Sequence, residues 1–308
     1  MARRYNKLAV LAKVETTYGT SAAPTGAANA MLVSNVTVTP LEGDEVSRDL
    51  MLPYFGDQGM VLAGVFARIQ FSVEIAGAGA AGTAPNYGPL LRACSMSETI
   101  TATTKVEYKP VSSTPEAVTL FANLDGVNHA MVGARGTVTL ALAPKTIPKF
   151  TFTMTGMLGP IGDVPLPAAT VTGFQKPLVG SKANSAFVLH GLAAVLESLN
   201  LDLGNQIEPR MLIGAETIEV VDRKASGTAV IEAVSAATKD WFGIARASTL
   251  GGLLATHGTV AGNIFEIEAA AVQIGKPAYG NTQGITNHSL PLKLIPVTGD
   301  DEVTFRVR

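Results

Sequence analysis

Runs of alternating apolar and polar residues recur along this 308-residue chain and limit the folds open to it. In the longest run, Val61–Ile75, the odd-numbered residues from Val65 onward are apolar and the even-numbered residues from Arg68 to Glu74 are polar. Because successive side chains of a strand point to opposite faces, this run predicts a strand with one buried face. We therefore expect an all-β dominated fold, a β-sandwich or barrel of antiparallel strands. Further strands are predicted from shorter Thr- and Val-rich runs at Val118–Leu124, Thr137–Leu142 and Lys149–Met157.

A short pattern that occurs twice indicates that the chain is duplicated. Tyr87 precedes Arg92 by five residues and Trp241 precedes Arg246 by the same spacing, so both pairs are offset by 154 (241 − 87 and 246 − 92). Each pair lies in a predicted short helix that follows a β-like run with a lone glutamate, and Asn86 is placed to cap the first helix. We expect two related domains, each with one short helix flanking a sheet. The residues predicted to pack these helices are Tyr87, Arg92, Trp241 and Arg246.

The predicted organisation has four segments. Residues 1–30 form an N-terminal arm, in which Gly, Ala, Pro and Thr dominate after Thr16. We expect this arm to become ordered by docking, either on the body of the chain or on another subunit. Residues 31–158 form the first β domain, and residues 185–308 form the second. Between them, the proline-rich residues 159–184 predict a linker.

The composition argues against several classes of protein. Charged residues make up 16% of the chain and the net charge is −2, which disfavours a basic nucleic-acid-binding surface. So little charge also suggests that neighbouring subunits cover much of the exterior. The single cysteine, Cys94, fits synthesis in a reducing cytoplasm. We find neither a signal-peptide pattern nor the roughly 20 apolar residues that span a bilayer, so we expect a soluble protein without a membrane partner.

Candidate catalytic and ligand-binding motifs are weak. Gly77–Gly82 matches the G-x-G-x-x-G pattern of dinucleotide-binding loops, but the strands and long helices that must follow in such a fold are missing, which favours a flexible loop. Cys94 is interpreted as a buried packing thiol. The four histidines are scattered, and Asp300–Glu302 is interpreted as a solvated turn rather than a cation site. We expect no enzymatic activity, no cofactor and no metal.

An acidic segment, Leu41–Gly59, also carries apolar residues that look exposed. A loop of this length within a compact domain is usually functional or disordered, and its aromatic residues favour a contact surface. A second polar excursion, Gly204–Glu216, occupies the corresponding place in the second half of the chain. The residues expected to form the contact surface are Asp49, Met51, Leu52, Tyr54 and Phe55.

Six short motifs, in order along residues 15–156, resemble the major tail tube proteins of phages with long, non-contractile tails. The second half of the chain is only weakly similar to these motifs. The motifs lie at Glu15–Thr20, at Gly79–Pro85 running into Leu90–Cys94, and at Val106–Pro110, Asp125–Gly126, Gly133–Gly136 and Phe150–Gly156.

The resemblance implies a structural protein of the virion tail, made in the host cytoplasm. Members of this family form a β-sandwich with a flanking helix, assemble into rings, and stack the rings into a hollow tube through which DNA leaves the virion. A chain with two tail-tube-like domains would close as a trimer with pseudo-sixfold symmetry. The implied partners are further copies of the chain, the tape measure, tail-terminator and tail-tip proteins, and DNA as a transient, non-specific cargo.

A conduit for DNA must not hold its cargo, so its wall should be neutral or acidic, because each cation that contacts phosphate adds affinity. The polar faces of the two strands that carry Glu74 and Glu232 meet this condition if they point inward and if an acidic residue pairs with Arg68. An ordinary solvated sheet face is the alternative interpretation. Within a tube, Leu41–Gly59 becomes the expected ring-stacking loop. The predicted lumen-facing residues are Gln70, Ser72, Glu74, Thr228 and Glu232.

A second hypothesis is a β-rich surface-binding module, such as an adhesin or a head decoration protein. Such a module needs an exposed aromatic or carbohydrate-reading patch. The chain has one Trp and six Tyr, mostly spread along its length, which gives this hypothesis little support.

Overall fold

A computed structural model describes residues 2–308, and Met1 lies outside the described residues. The first strands are β1 (Leu8–Val14), β2 (Ala30–Met31), β3 (Ser34–Ser47), β4 (Met60–Glu74), β5 (Met96–Thr101), β6 (Lys105–Pro110), β7 (Val118–Leu124), β8 (Val127–Leu142) and β9 (Lys149–Asp163). The later strands are β10 (Ser185–Leu189), β11 (Leu192–Ala193), β12 (Leu196–Asp202), β13 (Asn205–Leu212), β14 (Ala215–Arg223), β15 (Ser226–Glu232), β16 (Leu250–His257), β17 (Phe265–Ile274), β18 (Ala278–Thr282), β19 (Ile285–Leu294) and β20 (Thr304–Val307). The helices are α1 (Gly26–Asn29), α2 (Gly88–Ala93) and α3 (Trp241–Arg246). The expected all-β dominated fold is confirmed.

Two layers of antiparallel strands make up the body of the protein. The continuous sheet runs through both halves of the chain in the order β3-β4-β9-β8-β12-β15-β19. On the far side of β19, two strands pair with it in place of one: β18 along one part of its length and the end of β17 along another. The second sheet has the order β5-β6-β20-β17-β16-β10. The two layers form a β-sandwich with a core between them.

Apolar side chains from both halves fill this core. Phe71, Phe150 and Phe152 of the continuous sheet are fully buried. Phe150 contacts Phe265 and Phe305 of the second sheet, with ring centroids 5.5 Å apart in each case. A single buried cluster extends from the first half into the second. The halves therefore share one core, and the bounds of the two expected domains stay a prediction.

The N-terminal arm docks on the body of its own chain through β1, which is one of the two expected alternatives. Leu8–Val14 pairs along its whole length with β7 of the same chain. Residues Ala9–Ala12 are all buried, so both faces of β1 are covered and the strand lacks the alternation that would have marked it in the sequence.

The predicted linker, residues 159–184, also differs at its start, because β9 continues to Asp163. Pro160 lies opposite a bulge between His129 and Met131, where its missing N–H removes no ladder hydrogen bond. The rest of the segment lies against the first half, where Thr170 donates a backbone hydrogen bond to Gly26 and Lys145 donates one to Gly180.

Both predicted polar excursions are partly β-hairpin. Residues up to Ser47 continue β3 and pair with β4, so the loop within Leu41–Gly59 spans only residues 48–59. Most of Gly204–Glu216 belongs to the hairpin β13–β14. Backbone pairing forms both arms. The distal part of β3–β4 is largely exposed on both faces, so no apolar side of this arm appears in the sequence, whereas β13–β14 has one face partly buried.

The glycine-rich loop Gly77–Gly82 is packed rather than flexible. The backbone N–H of Gly79 donates to the Gly262 carbonyl at 2.9 Å, and that of Gly77 donates to Asn263 Oδ1 at 2.6 Å. A Cβ on Gly77 would lie 2.0 Å from the Gly262 oxygen, so a glycine is required for this close approach of the two halves.

The two helices that carry the repeated pattern are anchored differently. Tyr87 is buried at the N-cap of α2 and donates to the Ala76 carbonyl at 2.9 Å, so the predicted cap, Asn86, lies outside the helix. Arg92 forms two hydrogen bonds to Glu116 at 2.5 and 2.6 Å.

None of the described helices is long and apolar enough to cross a membrane.

In α3, Trp241 is buried and Asp240 caps the helix through a 2.8 Å bond from the Gly243 N–H. Arg246 is exposed and has no ion pair among the described residues, so it does not repeat the anchoring contact of Arg92.

Candidate functional site: the polar face and the edges of the continuous sheet

The continuous sheet has one face turned away from the core, which we call the polar face. Residues directly opposite each other in neighbouring strands share a face, so the strand registers define its members. It is rich in hydroxyl and amide groups and carries few charges. Its residues include Thr37, Thr39, Gln70, Glu74, Thr137, Thr139, Thr151, Thr153, Asn200, Asp202, Thr228 and Glu232.

All five predicted lumen-facing residues lie on the polar face, although Gln70, Ser72 and Glu74 come from the first half and Thr228 and Glu232 from the second. Gln70 and Glu232 are exposed, whereas Glu74 and Thr228 are half-buried. Ser72 is buried, and its hydroxyl lies 3.0 Å from that of Thr151 on the adjacent strand.

In the first half, the charges of the polar face have neighbours of opposite sign, whereas Asp202 and Glu232 of the second half have no ion pair among the described residues. Arg68 pairs with Glu42 at 3.5 Å, which supplies the acidic partner that the sequence interpretation required. Glu74 lies opposite Lys149 in the register of β4 with β9. Such a surface offers neither a nucleophile with a base nor a ligand set, and no group of three metal-binding side chains occurs among the described residues.

The two halves join at a short strand pairing, which we call the internal junction. Here β8 pairs with β12, with Ala141 opposite Asn200 and Thr139 opposite Asp202. The pairing continues the sheet from the first half into the second without a gap.

The register of the sheet also identifies corresponding residues in the two halves. Glu74 lies opposite Lys149, which lies opposite Ala141. In the same way Glu232 lies opposite Asn287, which lies opposite Gly280. Because Glu74 and Glu232 occupy equivalent places, β18 corresponds to the end of β8 that forms the internal junction.

The other side of the junction has a counterpart as well. Gln70 precedes Glu74 by four residues, and Thr228 precedes Glu232 by four residues. Thr37 lies opposite Gln70, and Asn200 lies opposite Thr228, so β3 corresponds to β12. Among residues 2–308, β3 pairs only with β4, and β18 pairs only with β19. The two edge strands of the sheet are therefore β3 and β18. Their counterparts, β12 and the end of β8, pair with each other in the internal junction.

The edge at β18 is lined by aromatic residues that the sequence interpretation did not select. Tyr279 is 67% exposed and lies over Phe242 and the buried His288, with ring centroids 5.2 and 5.0 Å away. Its counterpart in the first half, Leu140, is 3% exposed. No local sequence signal marks Tyr279, because its significance depends on the pairing of distant strands.

The predicted ring-stacking residues lie in the loop 48–59 at the end of the hairpin β3–β4. Met51 and Phe55 are fully exposed, and Tyr54 is 66% exposed. Asp49 accepts a 2.5 Å hydrogen bond from Ser47. The loop therefore presents apolar side chains that no described residue of this chain covers.

The weaker candidate motifs have structural roles. Asp300 and Glu302 both pair with Arg223, while Asp301 accepts hydrogen bonds from the backbone of Val297 and Thr298. Cys94 is fully buried, and burial raises the pKa of its thiol above the ordinary range. Burial likewise lowers the pKa of His129, His190 and His257.

The family model of phage tail tube proteins matches residues 6–305, nearly the whole chain. The resemblance inferred from the six motifs is confirmed by this match, which also covers the second half of the chain. A search of curated proteins finds no match to the sequence.

Proposed function

This chain belongs to the phage tail tube protein family, and we propose that three copies close into a pseudo-sixfold ring and that stacked rings form a hollow tube for DNA. The family is structural, and the proposed role involves neither catalysis nor a cofactor. The protein would reside in the virion tail, where the tape measure, tail-terminator and tail-tip proteins are its further partners. A long, non-contractile tail is the proposed context.

The observation that carries this proposal is the internal junction between β8 and β12. The two edges of the sheet, β18 and β3, are the counterparts of these two strands. If copies join as the halves do, the same four-residue pairing recurs between them. The expected pairs between neighbouring copies are Val36 with Asn281, Thr37 with Gly280, Val38 with Tyr279, and Thr39 with Ala278.

The stagger of the strands supports closure into a cylinder. Thr37 lies opposite Gln70, which lies opposite Thr153, which lies opposite Thr137. Asn200, the counterpart of Thr37, lies opposite Ala141, four residues beyond Thr137 (141 − 137). A shift of four residues over four strands tilts the strands by about 35°, which is within the range of closed sheets. Three copies of eight strand positions would then enclose a channel about 45 Å across between opposite backbones, wider than a DNA duplex.

The polar face suits the inner wall of this channel. Its hydroxyl and amide groups hydrogen-bond water without attracting phosphate, and the first-half cations Arg68 and Lys149 each have an acidic neighbour, Glu42 and Glu74. A wall with few free cations attracts passing DNA only weakly. In the second half Lys293 is the exception, because it is exposed and has no ion pair among the described residues. We propose that Gln70, Ser72, Glu74, Thr228 and Glu232 face the lumen.

The loop 48–59 is proposed to make contacts between stacked rings through Met51, Leu52, Tyr54 and Phe55, with Asp49 at its start. Exposed aromatic and apolar side chains of this kind form the centre of protein interfaces. Deleting Met51–Phe55 should leave rings intact and prevent long tubes. Full-length tubes from the deletion variant would refute the stacking role.

Disulfide trapping of the predicted edge pair tests ring closure. Opposite residues in antiparallel strands have Cα atoms about 4.5–5.5 Å apart, a distance that a disulfide spans. The variant with Thr39→Cys and Ala278→Cys should give covalent dimers and trimers under oxidation, and the ladder should stop at three. The native Cys94 is buried and does not interfere.

The internal junction offers a matched control. Thr139 and Asp202 are the counterparts of Ala278 and Thr39, so cysteines at these two positions should link within one chain and leave its mass unchanged. Electron microscopy of the same samples should show rings of three chains with six lobes. A protein that stays monomeric when concentrated, with no link between Thr39→Cys and Ala278→Cys, would contradict the proposal and favour the surface-binding hypothesis.

A further inference from the structure

The hairpin β13–β14 of the second half lies on the first half of the same chain. The guanidinium of Arg135 donates to the Ile218 carbonyl at 2.7 Å and pairs with Glu219 at 3.0 Å. The Ile218 N–H donates to the Tyr18 hydroxyl at 2.6 Å. Ile218 is fully buried by this contact, and Met211 approaches Gly64 on β4.

The surface beneath this hairpin is a row across three strands of the continuous sheet. Arg135 lies opposite Thr155, which lies opposite Arg68. Arg135 and Thr155 are 8% and 4% exposed, because the hairpin covers this end of the sheet.

The second half contains the corresponding row without a cover. Gln273 lies opposite Lys293, which lies opposite Ser226. Lys293 and Ser226 are exposed. Both line a cleft of about 680 Å³, whose wall also includes residues 220–225, the counterpart of the stretch of β4 that Met211 approaches.

The first half also contains the counterpart of the covering hairpin. The distal part of β3–β4, which we call the stem, pairs Asp44–Ser47 with Met60–Ala63 and follows Thr39 as β13–β14 follows Asp202. The stem is exposed at every residue of these two stretches. Its apolar residues Val46, Met60 and Val61 are each more than half exposed. No described residue of the chain covers these side chains.

We propose that the stem of the β3–β4 hairpin docks in the cleft of the neighbouring copy within the same ring, as β13–β14 docks within the chain. The inference rests on the proposed ring and assigns a lateral contact to the stem, leaving only the loop 48–59 for stacking. Charge complementarity supports this occupant. The stem carries Asp44 and Glu45, and Lys293 in the cleft has no ion pair among the described residues. The other charges of the cleft pair with one another, Lys224 with Asp222 and Arg223 with Asp300 and Glu302.

Charge reversal tests the contact. The variant with Asp44→Lys and Glu45→Lys, and the variant with Lys224→Glu and Lys293→Glu, should each raise the protein concentration needed for ring assembly about tenfold or more. Combining all four substitutions should restore assembly. All four residues are exposed, so the thermal unfolding of each variant should match that of the parent. Assembly that is unchanged in both double variants would overturn the proposal.

Cross-linking identifies which copy the stem touches. The variant with Glu45→Cys and Lys293→Cys, treated with a flexible bismaleimide, should give a ladder that ends at three chains. A ladder that continues to long polymers would place the stem on another ring and overturn lateral docking. The edge pair Thr39→Cys with Ala278→Cys separates the two proposals, because its failure counts against the ring itself. A linked edge pair with an unlinked stem counts against the docking alone.

Discussion

The two halves of the chain place corresponding residues in opposite surroundings. Leu140 is 3% exposed beside the internal junction, whereas its counterpart Tyr279 is 67% exposed at the open edge. Arg135 is buried beneath a hairpin of its own chain, whereas the corresponding row around Lys293 is open. The first half is thus covered by contacts made in folding, and the second half presents the same kinds of surface uncovered. Folding and assembly in this protein would use one set of contacts twice.

The largest difference in the free energy of unfolding is expected between alanine variants of Leu140 and of its counterpart Tyr279. Leu140→Ala should lower the free energy of unfolding by about 3 kcal/mol, because it leaves a cavity in the core. Tyr279→Ala should cost the unassembled chain only about 1 kcal/mol, from lost contacts with Phe242 and His288, and should impair ring assembly. Urea denaturation measures the first effect and light scattering the second. Equal destabilisation of the monomer by both substitutions would remove the contrast between junction and edge.

A smaller difference in the free energy of unfolding is expected between methionine variants of Arg135 and Lys293. Arg135→Met removes hydrogen bonds to Ile218, Glu219 and Pro115, and should destabilise the fold by about 2 kcal/mol, since buried acceptors lose their donor. Lys293→Met changes an exposed side chain and should leave the free energy of unfolding within about 0.5 kcal/mol. Chemical denaturation of both variants, in parallel with the parent, checks this. A stable Arg135→Met variant would show that the hairpin docks without this arginine.

Acid should weaken a contact in which both halves take part. Arg306 on β20 bonds Glu107 of the first half at 3.0 Å and Glu266 of the second at 3.1 Å. Burial alone would raise the pKa of both carboxyls, but hydrogen bonds from Lys105 and Arg306 to Glu107, and from Arg308 and Arg306 to Glu266, lower it below the ordinary 4.5.

The folded carboxyls therefore bind protons less readily than the unfolded chain does. Their contribution is complete above about pH 4.5 and is lost as the pH falls through the lower folded pKa. Glu266→Gln should flatten this part of the curve of unfolding free energy against pH, because the amide does not titrate. An unchanged curve would assign the acid sensitivity to other groups.

The smallest difference concerns the two helices. Arg92→Ala removes the paired hydrogen bonds to Glu116 and should cost about 0.5–1 kcal/mol, as expected for a half-buried ion pair. Arg246→Ala should have no measurable effect, because Arg246 is exposed and unpaired among the described residues. Thermal unfolding of the two variants tests the contrast, which would fail if Arg246→Ala proved as destabilising as Arg92→Ala.

Alternation made much of the fold predictable from the sequence. The bounds expected for Val118–Leu124 match β7, and the expected strand Val61–Ile75 differs from β4 by one residue at each end. From Ala67 onward β4 has one buried and one polar face, so its pattern records its surroundings directly, whereas β7 is buried on both faces. The same pattern placed Gln70 and Glu74 on one face of the sheet.

Features that depend on distant pairings were not predictable in this way. β1 is buried on both faces and the stem of β3–β4 is open on both, so neither strand alternates. The internal junction joins residues about sixty positions apart, and nothing local to β8 or β12 specifies the partner. Arg246 was assigned an anchoring role from spacing alone, whereas the acidic partner of Arg92 lies outside the repeated pattern.

The position of β20 has a consequence for the order of events during synthesis. This strand lies between β6 and β17, and the bond from Arg306 to Glu107 joins residues 199 positions apart. The second sheet therefore cannot be completed before β20 has emerged from the ribosome, which happens after both neighbouring strands have been made. Contacts so distant along the chain slow folding. Until β20 is in place, β6 and β17 have no strand between them and the core between the two sheets stays incompletely covered.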